Sequence, residues 1–393
     1  MDSKKSLNIK YIASQVFYFA TFAAMMGYAS VYLLYKDFSN ATIGIILSLC
    51  SILAVFLQPA LATFVDNHKN IEIRKIITTI VAVAIILSIA LLVLPANQTI
   101  IFILIVSIFT LETTIQPLIN TLAFIFERYN ININFGLARG LGSVAYAVAS
   151  IALGYVVEWF NPDLLPLCYV IFNSLLFIVV YLFVLPKDAE SIVEEEVNET
   201  EENSTGLVAF AAKYKKFLVF LLGFVFVYFA HTIINNFFIQ IITNVGGNSS
   251  DMGTAVFLAA MLELPTMAYF NQLCKKVNCG TLIKISIILF FAKHTITYLA
   301  SDMIMIYLAQ ILQMGAYALF IPASVHYVNC KVDKGDITKG QSFVTTSMTV
   351  SGVFANLVGG ILLDTINVSN VLLIGVVMSL IGALIVFVTV EKV

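Results

Sequence analysis

The sequence is short of charge. Of its 393 residues only 11% are Asp, Glu, Lys or Arg while 60% are hydrophobic, against roughly 25% charged in soluble domains. A chain so composed cannot cover a water-facing surface, which excludes a soluble globular protein. The formal net charge of −2 leaves no basic face for a nucleic acid. Cysteine is sparse too: Cys50, Cys168, Cys274, Cys279 and Cys330 are odd in number and scattered. Without a Cys-x-x-Cys pair or a Cys/His cluster at ligand spacing they support neither a zinc site nor a disulfide framework, and they read as packing residues. Histidine is scarcer still. His231, His294 and His326 sit on three separate apolar runs with no Cys or Asp at ligand spacing, so the clustered nucleophile, base or metal set of an enzyme is missing. No Gly-x-x-x-x-Gly-Lys-Ser/Thr loop occurs, which excludes ATP-driven work by this chain. The polar segments are also too short for the soluble signalling domain of a sensor.

What is present is a series of apolar runs long enough to cross a bilayer. Twelve can be counted, near 11–34, 41–65, 76–95, 99–125, 136–159, 164–185, 217–243, 252–272, 281–299, 303–328, 340–363 and 369–390. The first is too long for a signal peptide and is read as a retained membrane helix. Alternating the loops puts the loop and terminal lysines and arginines on one side and Lys36 alone on the other, so both termini are expected to be cytoplasmic. Between the sixth and seventh runs "KDAESIVEEEVNETEENSTG" is acidic and free of aromatics, the composition of a solvated linker. The expected organisation is a bundle over 1–185, an acidic cytoplasmic linker over 186–213 and a second bundle over 214–393. The halves echo each other at an offset of 206 residues, in Pro59 and Pro265, Gly154 and Gly360, and Glu158 and Asp364. Repeats of this kind, related by an axis along the membrane normal, place a substrate site near the midplane.

Ionisable residues inside such runs are functional candidates, because a charge at the centre of a membrane helix costs roughly 2.5–3.5 kcal/mol on insertion scales. They are Glu112, Arg139, His231, Glu263, Lys293 and His294. Glu112, Gln116 and Asn120 recur at i, i+4 and i+8 and make one polar stripe, expected to line a cavity in which Arg139 faces Glu112 or Glu263. Arg139 has a second reading: it lies a few residues into its helix and could snorkel to the interface. Glu263 has no such short route. Lys293 and His294 are adjacent and point to different sides, Lys293 being favoured for the cavity and His294 for packing. His231, beside Asn235 and Asn236, either titrates near neutral pH or makes a structural hydrogen bond. Gly136 and Gly140 have the GxxxG spacing of close helix packing, with Gly142 beside them, and "GQSFVTTSMTVSGVFANLVGG" (340–360) reads as a packing and sliding face.

Several stretches resemble the major facilitator superfamily, and within it the lactose permease-like branch of oligosaccharide and nucleoside proton symporters. "SILAVFLQPALATFVDNHKNIEIRK" is similar to the second helix and following loop of that family, keeping Asp66 and a basic pair, Arg74 and Lys75; the resemblance implies a cytoplasmic gate of charge pairs. "FGLARGLGSVAYAVASIALG" resembles the fifth helix, where an arginine binds sugar hydroxyls and an aromatic ring stacks on the sugar; those roles would fall on Arg139 and Tyr146. "MLELP" resembles the eighth helix, which makes Glu263 a ligand and coupling residue. Lys293 falls where the ninth helix of the permease carries an arginine. Departures accompany these matches: Gln313 and Ala316 stand where the tenth helix has its histidine and proton-carrying glutamate, and Asn120 where the fourth has an acid.

The resemblance implies an all-α membrane protein of twelve helices in two six-helix bundles, the MFS fold, working as a secondary active transporter by alternating access. The expected cargo is a small polar organic solute, sugar- or nucleoside-like, with coupling to protons; proton-driven efflux of amphiphilic compounds is the alternative. Asn120, Arg139, Tyr146, Glu263 and Gln313 are the expected substrate contacts, Glu112, Glu263, Lys293 and His231 the coupling groups, and Asp66, Arg74 and Lys75 the gate. No cofactor or metal is called for. The expected partners are the solute, protons and the lipid bilayer, with a functional monomer in a bacterial cytoplasmic membrane.

Overall fold

The computed structural model describes residues 4–68, 71–95, 97–127, 133–184 and 206–392, and all regular structure among them is helical. In hydrocarbon every backbone N–H and C=O needs a partner within the protein, and a helix supplies it locally. The helices in chain order are α1 (Lys4–Phe22), α2 (Ala29–Tyr35), α3 (Asn40–Asn67), α4 (Ile73–Val93), α5 (Gln98–Glu127), α6 (Phe135–Trp159), α7 (Leu165–Tyr181), α8 (Leu207–Lys213) and α9 (Lys215–Asn236). They continue with α10 (Phe238–Asn244), α11 (Ser249–Cys274), α12 (Cys279–Leu299), α13 (Met303–Ile311), α14 (Tyr317–Lys331), α15 (Ile337–Thr365) and α16 (Val368–Thr389). Among the described residues, ten of these helices and the α13–α14 pair taken as one make eleven spans long and apolar enough to cross a membrane, and the bent α1–α2 pair at the start makes up to twelve. Contacts divide the chain into two compact units, Met1–Phe38 with Ile46–Val197 and Ser39–Ile45 with Asn198–Val393.

Two spans that read as continuous in the sequence are broken. The first leaves α1 through a π-helical turn, Ala23–Gly27, and re-enters α2 bent by 44°. Nothing in "AAMMG" signals this. The cause is tertiary: the Tyr146 hydroxyl lies where a Cβ on Gly27 would be only 3.3 Å away. The tenth span breaks between α13 and α14 through a 3-10 turn, Leu312–Met314. The expected linker also differs at its end, since α8 is a helix whose Phe210 is fully buried and stacks on Phe343 at 5.2 Å. The acidic stretch 185–205 lies outside the described residues.

In the first unit Tyr11, Tyr18, Phe109 and Tyr169 are fully buried. Pro117 in α5 cannot donate to the Thr113 carbonyl, the bond a helix would make there. Gln58 of α3 takes over that bond, donating from Nε2 to the Thr113 oxygen at 3.0 Å. In the second unit α9 and α16 approach through glycine, where a Cβ on Gly382 would lie 2.4 Å from the Gly223 oxygen. Phe224 and Phe320 stack at 3.8 Å. The 340–360 stretch does pack closely: a Cβ on Gly340 would meet Val328 at 2.6 Å and one on Gly359 would meet Ile233 at 3.0 Å. In the same unit Asp364 caps the start of α3, accepting from the backbone N–H of Asn40 (3.0 Å) and Ala41 (2.8 Å). The cysteines are less scattered than the sequence suggests, because the turn between α11 and α12 brings Cys274 Sγ within 3.8 Å of Cys279 Sγ. At the chain's far end Glu391 accepts from Lys216 at 2.8 Å and from Lys331, and these hydrogen bonds hold its carboxyl at about 2.

The Gln58 bond exists because of the proline, which makes it testable by a cycle. Gln58→Leu in the wild-type background is expected to lower stability by roughly 1 kcal/mol, read as denaturant unfolding of protein in mixed micelles. In a Pro117→Ala background, where Thr113 regains its helical partner, the loss should vanish; an equal loss in both backgrounds would refute the assignment.

Candidate functional site

The second unit gathers three helices around one amide. Because Ala316 leaves helical geometry, the tenth span turns tightly at Gly315, where a Cβ would lie 2.3 Å from Leu289 Cδ1. Ser286 Oγ donates to the Ala316 carbonyl at 2.6 Å and holds the break. The break turns Gln313 inward. Lys293 Nζ of α12 donates to Gln313 Oε1 at 2.6 Å, and Gln313 Nε2 donates to Glu263 Oε1 of α11 at 2.9 Å. An ammonium only donates and an ionised carboxylate only accepts, so the amide has one satisfying orientation between them. Lys293 is sealed at 0% exposure and Gln313 is buried, whereas Glu263 is half-buried. The chain thus runs from an enclosed cation to a reachable anion.

Around this chain lie two imidazoles. His294 Nδ1 is 2.9 Å from Ser379 Oγ, on a different side from Lys293, as adjacency on a helix requires. His231 Nε2 accepts from Asn235 Nδ2 at 3.0 Å, and its ring stacks on Tyr317 at 5.5 Å. A structural hydrogen bond is therefore present at His231, which makes no hydrogen bond to the Lys293–Gln313–Glu263 chain among the described residues but is in electrostatic reach of Lys293.

The first unit holds a second polar cluster. Gln15 Nε2 of α1 donates to Asn120 Oδ1 at 3.1 Å and to the Tyr11 hydroxyl at 2.9 Å. Arg139 Nη1 donates to Ser143 Oγ at 2.9 Å, and its guanidinium lies 4.2 Å over the Phe19 ring. Helical side chains lean toward the N-terminus of their helix. Arg139, five residues into α6, reaches forward to Ser143 instead, away from the nearer helix end, and this does not fit snorkelling. Tyr146 packs on Phe22 at 6.3 Å and over Gly27.

Glu112 is fully buried, and neither carboxylate oxygen has a hydrogen-bond partner among the described residues. The expected Arg139–Glu112 pair is therefore not made in this structure; Phe19 and Ser143, carried on α1 and one turn along α6, meet the guanidinium instead. The Phe19 ring fits because Gly142 has no side chain, a Cβ there being 2.6 Å from Phe19 Cδ2. The GxxxG pair expected to pack makes no close helix contact among the described residues: a Cβ on Gly140 would meet nothing within 4 Å and one on Gly136 only Asn134 Oδ1 at 3.9 Å.

Of the gate residues, the Asp66 side chain lies outside the described residues. Arg74 and Lys75 share Glu72, the latter at 3.1 Å, and Arg74 Nη1 also donates to the Tyr181 carbonyl at 3.0 Å. The Arg74 hydrogen bond is the main reason the Glu72 carboxyl sits below its ordinary range. Sequence reasoning passed over Glu72, Gln15 and Gln58 by attending to ionisable groups within spans; a glutamine in an apolar run was the available signal for the last two. Phe19 carried none.

Polar side chains drawn from separate membrane helices into the interior of each of two helical units define a multi-pass membrane transporter. The chain belongs to the MFS_1 like family, whose model matches residues 8–374. It is 25% identical over 380 residues to the uncharacterized transporter YwbF of Bacillus subtilis, covering 95% of this chain and 91% of that one. It is 23% identical over 372 residues to a maltose permease of Geobacillus stearothermophilus, covering 93% and 90%. Its fold is that of a variant of the nucleoside transporter NupG, with TM-score 0.80 at 17% identity over 98% of this chain and 100% of that chain. The bacterial relatives support a place in the cytoplasmic membrane.

Gly142 and Gly140 separate packing from composition. Gly142→Ala should displace Phe19 and cost roughly 1–3 kcal/mol, whereas Gly140→Ala should be neutral or stabilise by up to about 1 kcal/mol. Thermal unfolding of the two variants side by side checks this, and equal behaviour would contradict it.

Proposed function

We propose that the protein is a secondary transporter that carries a small polar, hydroxyl-bearing solute, sugar- or nucleoside-like, by alternating access and with proton coupling. The observation that supports this best is the Lys293–Gln313–Glu263 chain, in which a half-buried carboxylate is backed by an amide and an enclosed ammonium. Such a carboxylate is fixed in orientation yet half-buried, and carboxylate oxygens suit acceptance of hydrogen bonds from solute hydroxyls. In the first unit Arg139, Asn120 and Tyr146 are the recognition groups of this reading, and Glu263 and Gln313 are those of the second. The maltose permease among the relatives and the nucleoside transporter among the folds support the solute class. Both termini lie on the cytoplasmic side in this reading, and one chain, carrying both clusters, is the functional unit.

The test is uptake by proteoliposomes under an imposed proton gradient, with labelled maltose and uridine as probes. Glu263→Gln is expected to abolish uptake. Arg139→Lys, which keeps the charge but loses the planar fork, should weaken it strongly. Normal uptake by Glu263→Gln would remove that residue from the site.

A further inference from the structure

We propose that the coupling proton binds at Glu112, in the first unit, and not on the Lys293–Gln313–Glu263 chain. This rests on the transporter reading above and deepens it by naming the proton site. Three observations lead there.

The first is the contrast between the two acids. Glu263 is hydrogen-bonded through Gln313 to Lys293, so its negative charge is compensated where it stands. Glu112 has both oxygens buried without a hydrogen-bond partner among the described residues. An ionised carboxylate there would be an uncompensated buried charge, whereas a carboxylic acid is neutral.

The second is what surrounds it. From α1, Tyr18 donates to the backbone carbonyl of Glu112 at 3.3 Å and not to its carboxyl. Tyr18 is in electrostatic reach of both Glu112 and Arg139 of α6. The other titratable side chains described on those elements are Lys10, which donates to the Leu182 carbonyl, Tyr11, which bonds to Gln15, Tyr146, which lies over Gly27, and Tyr155 and Glu158 in the last turns of α6. Helix α4 has no ionisable residue between Lys75 and its end at Val93, and α3 contributes the neutral Gln58 and the Cys50 thiol, which donates to the Val106 carbonyl. No fixed cation is bonded to the carboxyl, which a permanent structural ion pair would require.

The third is a way out. Glu112 immediately precedes Thr113, whose carbonyl Pro117 frees and Gln58 holds. That turn of α5 depends on one side-chain bond from another helix, so it can change conformation without melting. Along the same face Gln116 and Asn120 follow, both partly exposed, while Glu112 is sealed. The stripe forms a polar path from the enclosed acid to the Gln15–Asn120 cluster. The step itself is simple: the carboxylate takes up a proton from one side as the acid is sealed in, and gives it to water on the other when the turn opens. No electrons move and no other bond changes.

Two measurements test this. In proteoliposomes, Glu112→Gln mimics the neutral acid and is expected to keep solute counterflow of maltose or uridine while losing accumulation driven by an inside-alkaline gradient. Accumulation equal to wild type would overturn the proposal. If wild type accumulates neither probe, the transporter reading is what has failed, and the proton site is decided on purified protein in lipid by infrared difference spectroscopy. Wild type should show at neutral pH a protonated-carboxyl band, sensitive to deuterium exchange, that Glu112→Gln lacks. A wild-type protein without that band, or a band unchanged in the variant, would refute the assignment whatever the solute.

Discussion

A polar group inside a membrane has no water to fall back on, so each one this chain carries inward must be met by the unit that holds it. Leaving one unmet costs several kcal/mol. Most of the interior is arranged around that demand. Lys293 and Glu263 are joined through an amide, His294 meets Ser379, and Gln15 serves Tyr11 and Asn120 at once. Arg139 spreads its guanidinium over an aromatic face and a hydroxyl. Neutral groups such as the Asn173 amide and the Tyr169 hydroxyl are also buried without a hydrogen-bond partner among the described residues, but the carboxyl of Glu112 is the one acid in that condition, and for an ionised acid the cost is largest.

The demand also explains which parts of the architecture were legible before any coordinates. Spans show in the sequence because lipid selects long apolar runs, and the residues of both clusters show because a charge or amide in such a run is conspicuous. Their pairings do not. Arg139 could have met Glu112 by composition alone; that it meets Phe19 depends on Gly142 being bare, a fact of packing between helices distant in sequence. The breaks were hidden for the same reason. "AAMMG" and "LQMGA" contain good helix formers, and what bends them is Tyr146 over Gly27 and Ser286 on the Ala316 carbonyl. Glycine spacing misled as well, since a Cβ on Gly136 would meet no more than the Asn134 side chain at 3.9 Å and one on Gly140 nothing within 4 Å among the described residues.

Gln313 shows how a departure from a family pattern can be chemically coherent. Where the lactose permease-like branch has an ionisable residue, this chain has an amide between a cation and an anion. A direct Lys–Glu pair in low dielectric would be tightly bound, and separating it would leave two buried charges. An interposed amide bonds to both while keeping them apart, so Glu263 can exchange one hydrogen bond for another partner with Lys293 still satisfied at Gln313 Oε1. On the proposed reading this is how a carboxylate serves a solute without exposing its counter-charge.

The helix breaks and the polar clusters coincide, and the coincidence follows from backbone chemistry. Where a helix loses a backbone bond, side chains of other helices complete its bonding: Gln58 on the Thr113 carbonyl and Ser286 on Ala316. Each such bond has a net value on the order of 1 kcal/mol or less in a membrane interior, far below the cost of unwinding a span. A unit built this way can rearrange at those points by exchanging one side-chain partner for another, keeping its regular helices intact. On the proposed reading, motion would be concentrated next to Glu112 and Gln313, the residues whose bonding a transported solute or proton would have to change.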